Sequence, residues 1–345
     1  MTDQMQCITL AARPVGAPKD SDFALETRDV PTPGAGEVLV RVHYMSLDPY
    51  MRGRMDDVKS YADPVPIGGI MEGGGAGEVL ASNDPNFAPG DMVFGMFGWT
   101  THGVQPGNML RKLDNRVPIT TSLGVLGMPG FTGWYGLTEI GKPKAGETLV
   151  VAAATGPVGQ MVGQVAKARG LRTVAIAGGA EKCSLATEKF GFDAAIDHRA
   201  YDDARSLRKA LAEACPDGID IYFENVGGKV FEAVLPLMNR FGRMPVCGMI
   251  SGYNTGALGG NAGDGPDRFP MFWRTLLVKH LTATGFIISN HFDQFPEFLS
   301  EVVPMLSDGR VAYLEDIAEG LENAPRAFTG LLEGKNVGKQ IVKLI

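Results

Sequence analysis

The chain has 345 residues, 44% hydrophobic and 21% charged, which is the composition of a folded globular protein and long enough for two lobes. Its net charge of -7 and the absence of a Lys/Arg-rich stripe argue against nucleic acid as a partner, because phosphate backbones are held by a basic surplus. Cys7, Cys183, Cys215 and Cys247 have no short spacing between them, so no disulfide framework is expected and the chain suits the reducing cytoplasm.

Residues Met1 to Cys7 lack a basic region leading into an apolar run, so no signal peptide is expected. Glu37 to Tyr44 alternates apolar and polar residues as a half-buried strand does, and Glu78-Val79-Leu80 and Met92 to Phe97 read similarly. The first third is therefore β-rich. Two stretches, 117–138 and 148–166, carry no charge and match a membrane span in length. Pro129 and several glycines break the first, and Gly156-Pro157 breaks the second, so buried strands and loops are expected and no membrane association.

From Pro143 onward short apolar runs alternate with helical stretches, the signature of βαβ units and a parallel sheet. Strands are predicted at Thr148 to Ala153, Arg172 to Ala177, Ala194 to Ile196, Ile219 to Phe223 and Gly242 to Cys247, with Pro245 marking the last as irregular or near an edge. Helices are predicted at Val158 to Arg169 and Glu181 to Phe190. Asn254 to Asp267 reads as a glycine-rich loop, and Gly338 to Leu344 as a further strand that can return to the first lobe.

Between the first strand and helix of this series lies Ala154-Thr155-Gly156-Pro157-Val158-Gly159. This is where a dinucleotide's pyrophosphate is held, on glycines and a helix N-terminus. Ala154 stands where the first glycine is usual, so the strand–turn–helix context carries the reading. About 20 residues on, NAD enzymes place an acid for the ribose 2′-hydroxyl. Here Gly178-Gly179 occupies that place with Lys182 just beyond, which favours the 2′-phosphate of NADPH over NADH. Metal is not expected: there is no Cys-x-x-Cys, and His43, His102, His198, His280 and His291 are isolated.

Several separated motifs extend this reading: Ser46 to Met55, Gly127 to Thr132, Pro143 to Thr148, Ala177 to Lys182, Glu224 to Gly228, Val246 to Asn254 and Gly334 to Lys339. Together they resemble the zinc-independent reductases of the medium-chain dehydrogenase/reductase superfamily, the group of prostaglandin and curcumin reductases. Where zinc-dependent members have Gly-His-Glu, this chain has Ile70-Met71-Glu72. The resemblance implies an α/β fold with two parts. A GroES-like β-rich domain (1–128) would be completed by 310–345, and a doubly wound Rossmann domain (129–309) would bind NADPH, with the active site in the cleft. It further implies cofactor contacts from Met128, Gly156, Pro157, Val158, Gly159, Gly178, Lys182, Asn225, Cys247, Gly248, Ile250, Ser251, Tyr253, Phe286, Ile287, Ile288 and Asn336. His198 takes the place where many relatives have a tyrosine, with Arg199 beside it.

The reaction so implied is hydride transfer from NADPH to the β-carbon of an α,β-unsaturated ketone or aldehyde, with a proton going to the α-carbon. A phenol that donates to the carbonyl oxygen would stabilise the charge that develops there. Tyr253 is the first choice and Tyr50 the second. Acceptor-pocket residues are expected in the first lobe and in a loop from Asn254 to Trp273. The expected partners are a small enone and, as in many relatives, a second copy in a homodimer. A quinone or carbonyl reductase, or a non-catalytic NADPH-binding sensor, would share the same turn.

Overall fold

The computed structural model describes residues 4–114, 116–256, 260 and 267–345. The chain divides into two compact units. The first takes in the described residues of Met1–Gly127, Tyr253–Asn261 and Glu315–Ile345, and the second those of Met128–Gly252 and Ala262–Leu314.

In the first unit β1 (Gln4–Leu10) and β2 (Phe23–Asp29) form an antiparallel pair. β3 (Glu37–Ser46) buries Val38, Val40 and Val42 while Arg41 and His43 reach outward, the period-two pattern of a sheet with one wet face. A single helical turn, α1 (Met51–Arg54), precedes β4 (Gly75–Ser82), β5 (Met92–Gly95), β6 (His102–Pro106) and β7 (Arg111–Lys112).

The second unit begins with α2 (Met128–Tyr135) and runs on as β8 (Thr148–Ala152), α3 (Pro157–Ala168), β9 (Arg172–Ala177), α4 (Ala180–Glu188) and β10 (Ala194–Asp197). α5 (Ala204–Ala214), β11 (Ile219–Phe223), α6 (Gly228–Val234), β12 (Met238–Val246), α7 (Phe269–Lys279), β13 (Thr282–Gly285) and α8 (Phe295–Ser307) follow. The six strands pair in parallel in the order β10-β9-β8-β11-β12-β13. This is the doubly wound arrangement, whose direction of winding reverses between β8 and β11.

The chain then returns to the first unit with β14 (Glu315–Glu319), α9 (Ala324–Leu332) and β15 (Lys339–Lys343). β15 inserts between β14 and β3, in a sheet ordered β14-β15-β3-β4-β5-β7 with β6 also on β3. Phe328 of α9 packs edge-on against the buried Trp99 at 5.4 Å, and Trp99 stacks on Phe23 at 5.6 Å.

Two expectations need correction. The charge-free stretch 117–138, read as strands and loops, contains α2, seven of whose eight residues are buried. A helix buried all round has no polar face and loses the 3.6-residue period that betrays helices. Phe269 to Trp273, expected as loop, opens α7, with Pro270 in its first turn where a missing N–H costs nothing. Residues 257–259 and 261–266 of the glycine-rich stretch lie outside the described residues. As for Pro245, β12 has an irregular register with β11 and pairs on its other side with β13, which forms the edge.

One buried ion pair fastens β15 in place. Lys339 Nζ donates to Asp48 Oδ1 at 2.8 Å and to the Leu47 carbonyl at 2.6 Å, and Ser46 Oγ donates to the other Asp48 oxygen. Both charged side chains are almost wholly removed from water, so losing one strands the other in a medium that cannot solvate it. Lys339→Ala should therefore lower stability by about 3 kcal/mol, read as an earlier urea midpoint of the transition that involves this unit. An unchanged midpoint would show that the pair does not hold the strand.

Candidate active site

The turn after β8 is built by a close approach. A Cβ at Gly159 would lie 2.5 Å from the Ala153 carbonyl oxygen and 2.6 Å from Ala154 Cα, so no larger residue lets α3 start where it does. Ala153 takes φ +52, and the Gly156 N–H donates to the Ala153 carbonyl at 3.0 Å. The left-handed residue of the turn is thus Ala153, and Ala154 is buried with its N–H on Ile176 O at 3.1 Å. That explains how alanine replaces the glycine expected at 154. Such a residue costs an alanine about 1 kcal/mol.

Gly156 caps the helix without a side chain, Pro157 fills N1, and no acid stands in the first turn. The N–H groups of Val158 and Gly159 have no acceptor of their own within the helix. The cradle therefore fits a phosphate in shape and in charge. Gln160, whose amide donates to Thr155 O at 2.7 Å, stiffens it from behind.

At the end of β9 lies a second corner. A Cβ at Gly178 would meet Arg199 Nε at 2.8 Å and His198 Nε2 at 3.1 Å, so both side chains converge on the space that the glycine leaves. Lys182 projects from the first turn of α4, half-buried. Lys229, at the start of α6, donates to the carbonyls of His198 (2.9 Å) and Tyr201 (2.5 Å). Asp197 turns one oxygen to the backbone N–H groups of Gly179 (2.8 Å) and Arg199 (2.9 Å). Burial, followed by Lys229 and Arg199, pushes the His198 pKa below its ordinary value; Lys182 acts the same way and Asp197 opposes. Three cations around one half-buried ring give this corner the charge that suits an anion.

Between these corners the ends of β11 and β12 close the edge. Asn225 Nδ2 donates to Ala152 O at 2.8 Å, which ties the two strands flanking the reversal point. The buried Glu224 carboxylate accepts from Val226 N (2.6 Å) and Gly227 N (2.8 Å) and shapes the loop; burial raises its pKa. Cys247 and Gly248 donate from their backbones to Glu224 O at 3.0 and 3.2 Å, Ile250 to Asn225 O at 3.2 Å and Ser251 to Val226 O at 3.0 Å. The Cys247 thiol is pushed up to about 12, first by burial and then by Glu224. It stays protonated and is no nucleophile.

Phe286, Ile287 and Ile288, all half-buried, follow β13, and Phe286 packs on Tyr135 at 5.6 Å. Met128 opens α2. Of the residues expected to touch the cofactor, those numbered 156 to 288 other than Tyr253 thus follow the C-terminal ends of β8 to β13, the edge where open parallel sheets bind ligands.

Tyr50, Tyr253 and Asn336 belong to the first unit. Tyr50 caps α1, with the Arg54 guanidinium 5.8 Å from its ring centroid; burial, then Asp48 and Glu72, raises its pKa, so its hydroxyl remains a donor at every physiological pH. Tyr253 is half-buried within the short helical turn Ile250–Thr255. Asn336 donates to Gly338 O at 2.7 Å. Met71 is fully buried in the core of this unit, and no three His, Cys, Asp or Glu side chains among the described residues gather as a metal site requires.

Sequence reasoning missed Glu224 and Lys229 as organisers of the site. Each acts on backbone groups, and neither leaves a residue-type pattern. For Lys229 the signal is its place one residue after Gly227-Gly228, at the start of a helix that faces the His198 turn.

Two family models match the chain, one described as the N-terminal domain of oxidoreductase (residues 6–113) and one as zinc-binding dehydrogenase (residues 157–303). The chain is 53% identical to the NADPH-dependent curcumin reductase of Escherichia coli K12 over 337 residues, 97% of this chain and 95% of that protein. It is 43% identical to the NADP-dependent 2-alkenal reductase of Nicotiana tabacum, over 95% of this chain and 94% of the other. The crystal structure of CurA from Vibrio vulnificus in complex with NADPH superposes with a TM-score of 0.93 at 49% identity, covering 99% of each chain.

The basic corner yields a selective prediction. Lys182→Ala and Arg199→Ala should each weaken NADPH binding about tenfold or more, the worth of a charge-assisted hydrogen bond, and leave NADH affinity unchanged. Fluorescence titration of both cofactors checks this. Equal NADH and NADPH affinity in the parent protein would remove the corner from cofactor selection.

Proposed function

We propose that this chain, which belongs to the medium-chain dehydrogenase/reductase family, reduces the carbon–carbon double bond of small α,β-unsaturated ketones and aldehydes with NADPH. The observation that carries the proposal is identity along nearly the whole chain to an NADPH-dependent curcumin reductase and a 2-alkenal reductase. The basic corner at Gly178 adds support for the phosphorylated cofactor.

When bound, NADPH supplies a hydride to the β-carbon. The turn from Gly156 to Gly159 would hold the pyrophosphate on the α3 N-terminus, and Arg199, Lys182 and His198 would take the 2′-phosphate. The Asn225 loop and the Cys247–Ser251 segment fix the floor of the site. As hydride arrives, charge builds on the substrate's carbonyl oxygen. Tyr253 donates a hydrogen bond to that oxygen, binding it more tightly in the transition state than in the ground state. The proton for the α-carbon comes from Tyr253 or from water. Tyr50, held protonated by its burial, is the second donor.

The protein works as a homodimer in this proposal. β13 is an edge strand whose four residues are all exposed, and α7 beside it in the chain exposes Phe269, Trp273, Leu277 and Val278. A strand that is an edge among the described residues and an exposed apolar helix face suit isologous pairing with a second copy. Four free cysteines suit a reducing cytoplasm.

The acceptor class is tested by following NADPH absorbance with an enone, a quinone and an aldehyde that lacks the double bond. Turnover of the enone to its saturated carbonyl product is expected, with Tyr253→Phe lowering kcat about a hundredfold while NADPH affinity holds. Oxidation by the quinone alone, or by nothing, would sink the proposal, and unchanged kcat would acquit Tyr253. Light scattering should give twice the monomer mass, and Leu277→Glu the monomer. A monomeric parent protein would rule out the pairing.

A further inference from the structure

The imidazole of His198 is surrounded in a way that bears on how the cofactor is bound and released. On its own turn Arg199 stands beside it, and both reach the space above Gly178. Lys182 bears on it from α4 and Lys229 from α6, while among the described residues Asp197 is the one acid that bears on it. Asp197 is already engaged by two backbone N–H groups. Lys229 clamps the backbone of the turn at His198 and Tyr201.

We propose that His198 takes up a proton from solvent together with the cofactor's 2′-phosphate, so that NADPH is held by an imidazolium and the proton leaves when the cofactor does. This rests on the reading that the 2′-phosphate lies at Gly178. Without ligand, burial and three cations favour the neutral ring. A phosphate dianion within hydrogen-bond reach offsets the surrounding cations and, as the charge nearest the ring, favours its charged form.

The direction follows from linkage. His198 has the higher pKa in the complex, so its contribution to affinity is complete at low pH and is lost as pH rises through that higher value. NADPH affinity should then fall about tenfold between pH 6 and pH 8, while NADH affinity stays level. Titration of the phosphate itself works the other way, because a phosphate among cations gives up a proton on binding.

The test uses 2′,5′-ADP and 5′-AMP as probes on the full chain, by isothermal titration calorimetry in buffers of differing ionisation heat at pH 7. Wild type should take up a substantial fraction of a proton with 2′,5′-ADP and none with 5′-AMP. His198→Gln should abolish the uptake, and His198→Tyr should keep most of the affinity, which no longer falls as pH rises. Proton release or no exchange in wild type, with 2′,5′-ADP binding still weakened by Arg199→Ala, would overturn the proposal and leave the phosphate site standing. Uptake that persists in His198→Gln would overturn it as well. If 2′,5′-ADP and 5′-AMP bind alike and Arg199→Ala changes neither, the phosphate site falls and takes the proposal with it.

Discussion

The geometry of the dinucleotide site depends on one contact, the approach of α3 to the turn that follows β8. With a Cβ at residue 159 the helix would have to retreat from Ala153 and Ala154 by enough to relieve a 2.5 Å overlap. Its free N–H groups would then no longer stand over the strand end. The left-handed Ala153 belongs to the same constraint, since it turns the chain sharply enough for the helix to begin four residues later. Strain at one residue is thereby exchanged for a helix end whose first N–H groups are left free of intrahelical partners, an economy often met at functional turns.

Charge is distributed by place and not by total. The chain as a whole is acidic, yet Lys182, Arg199 and Lys229 meet around one histidine with a single carboxylate among them, and that carboxylate faces backbone N–H groups. A net charge of -7 speaks to what long polyanions do at the surface. It is silent about a local corner where cations gather.

The second unit was largely legible because its strands are short apolar runs and α3 and β9 fall between glycine-marked turns, so period and punctuation agree. α2 was hidden by being apolar on every side, and β13 by being four exposed residues, Thr-Ala-Thr-Gly, with no alternation to read. Within the site, the cationic corner was half visible. Lys182 and the glycines sit in one motif, whereas Lys229 joins them only through carbonyls 28 and 31 residues away along the chain. The Lys339–Asp48 pair, 291 residues apart, had no local trace at all.

The place of β15 in its sheet has a consequence for how the chain matures. Lys339–Lys343 lies between β14 and β3 and is pinned there by Lys339. Every residue of the doubly wound sheet precedes it in the chain. During synthesis the second unit can therefore complete its hydrogen-bond ladder while the first still has a vacant slot beside β3. The N-terminal strands, though made first, would be the last to close. Until then the edge of β3 and the unpaired carboxylate of Asp48 stay exposed to whatever the nascent chain meets.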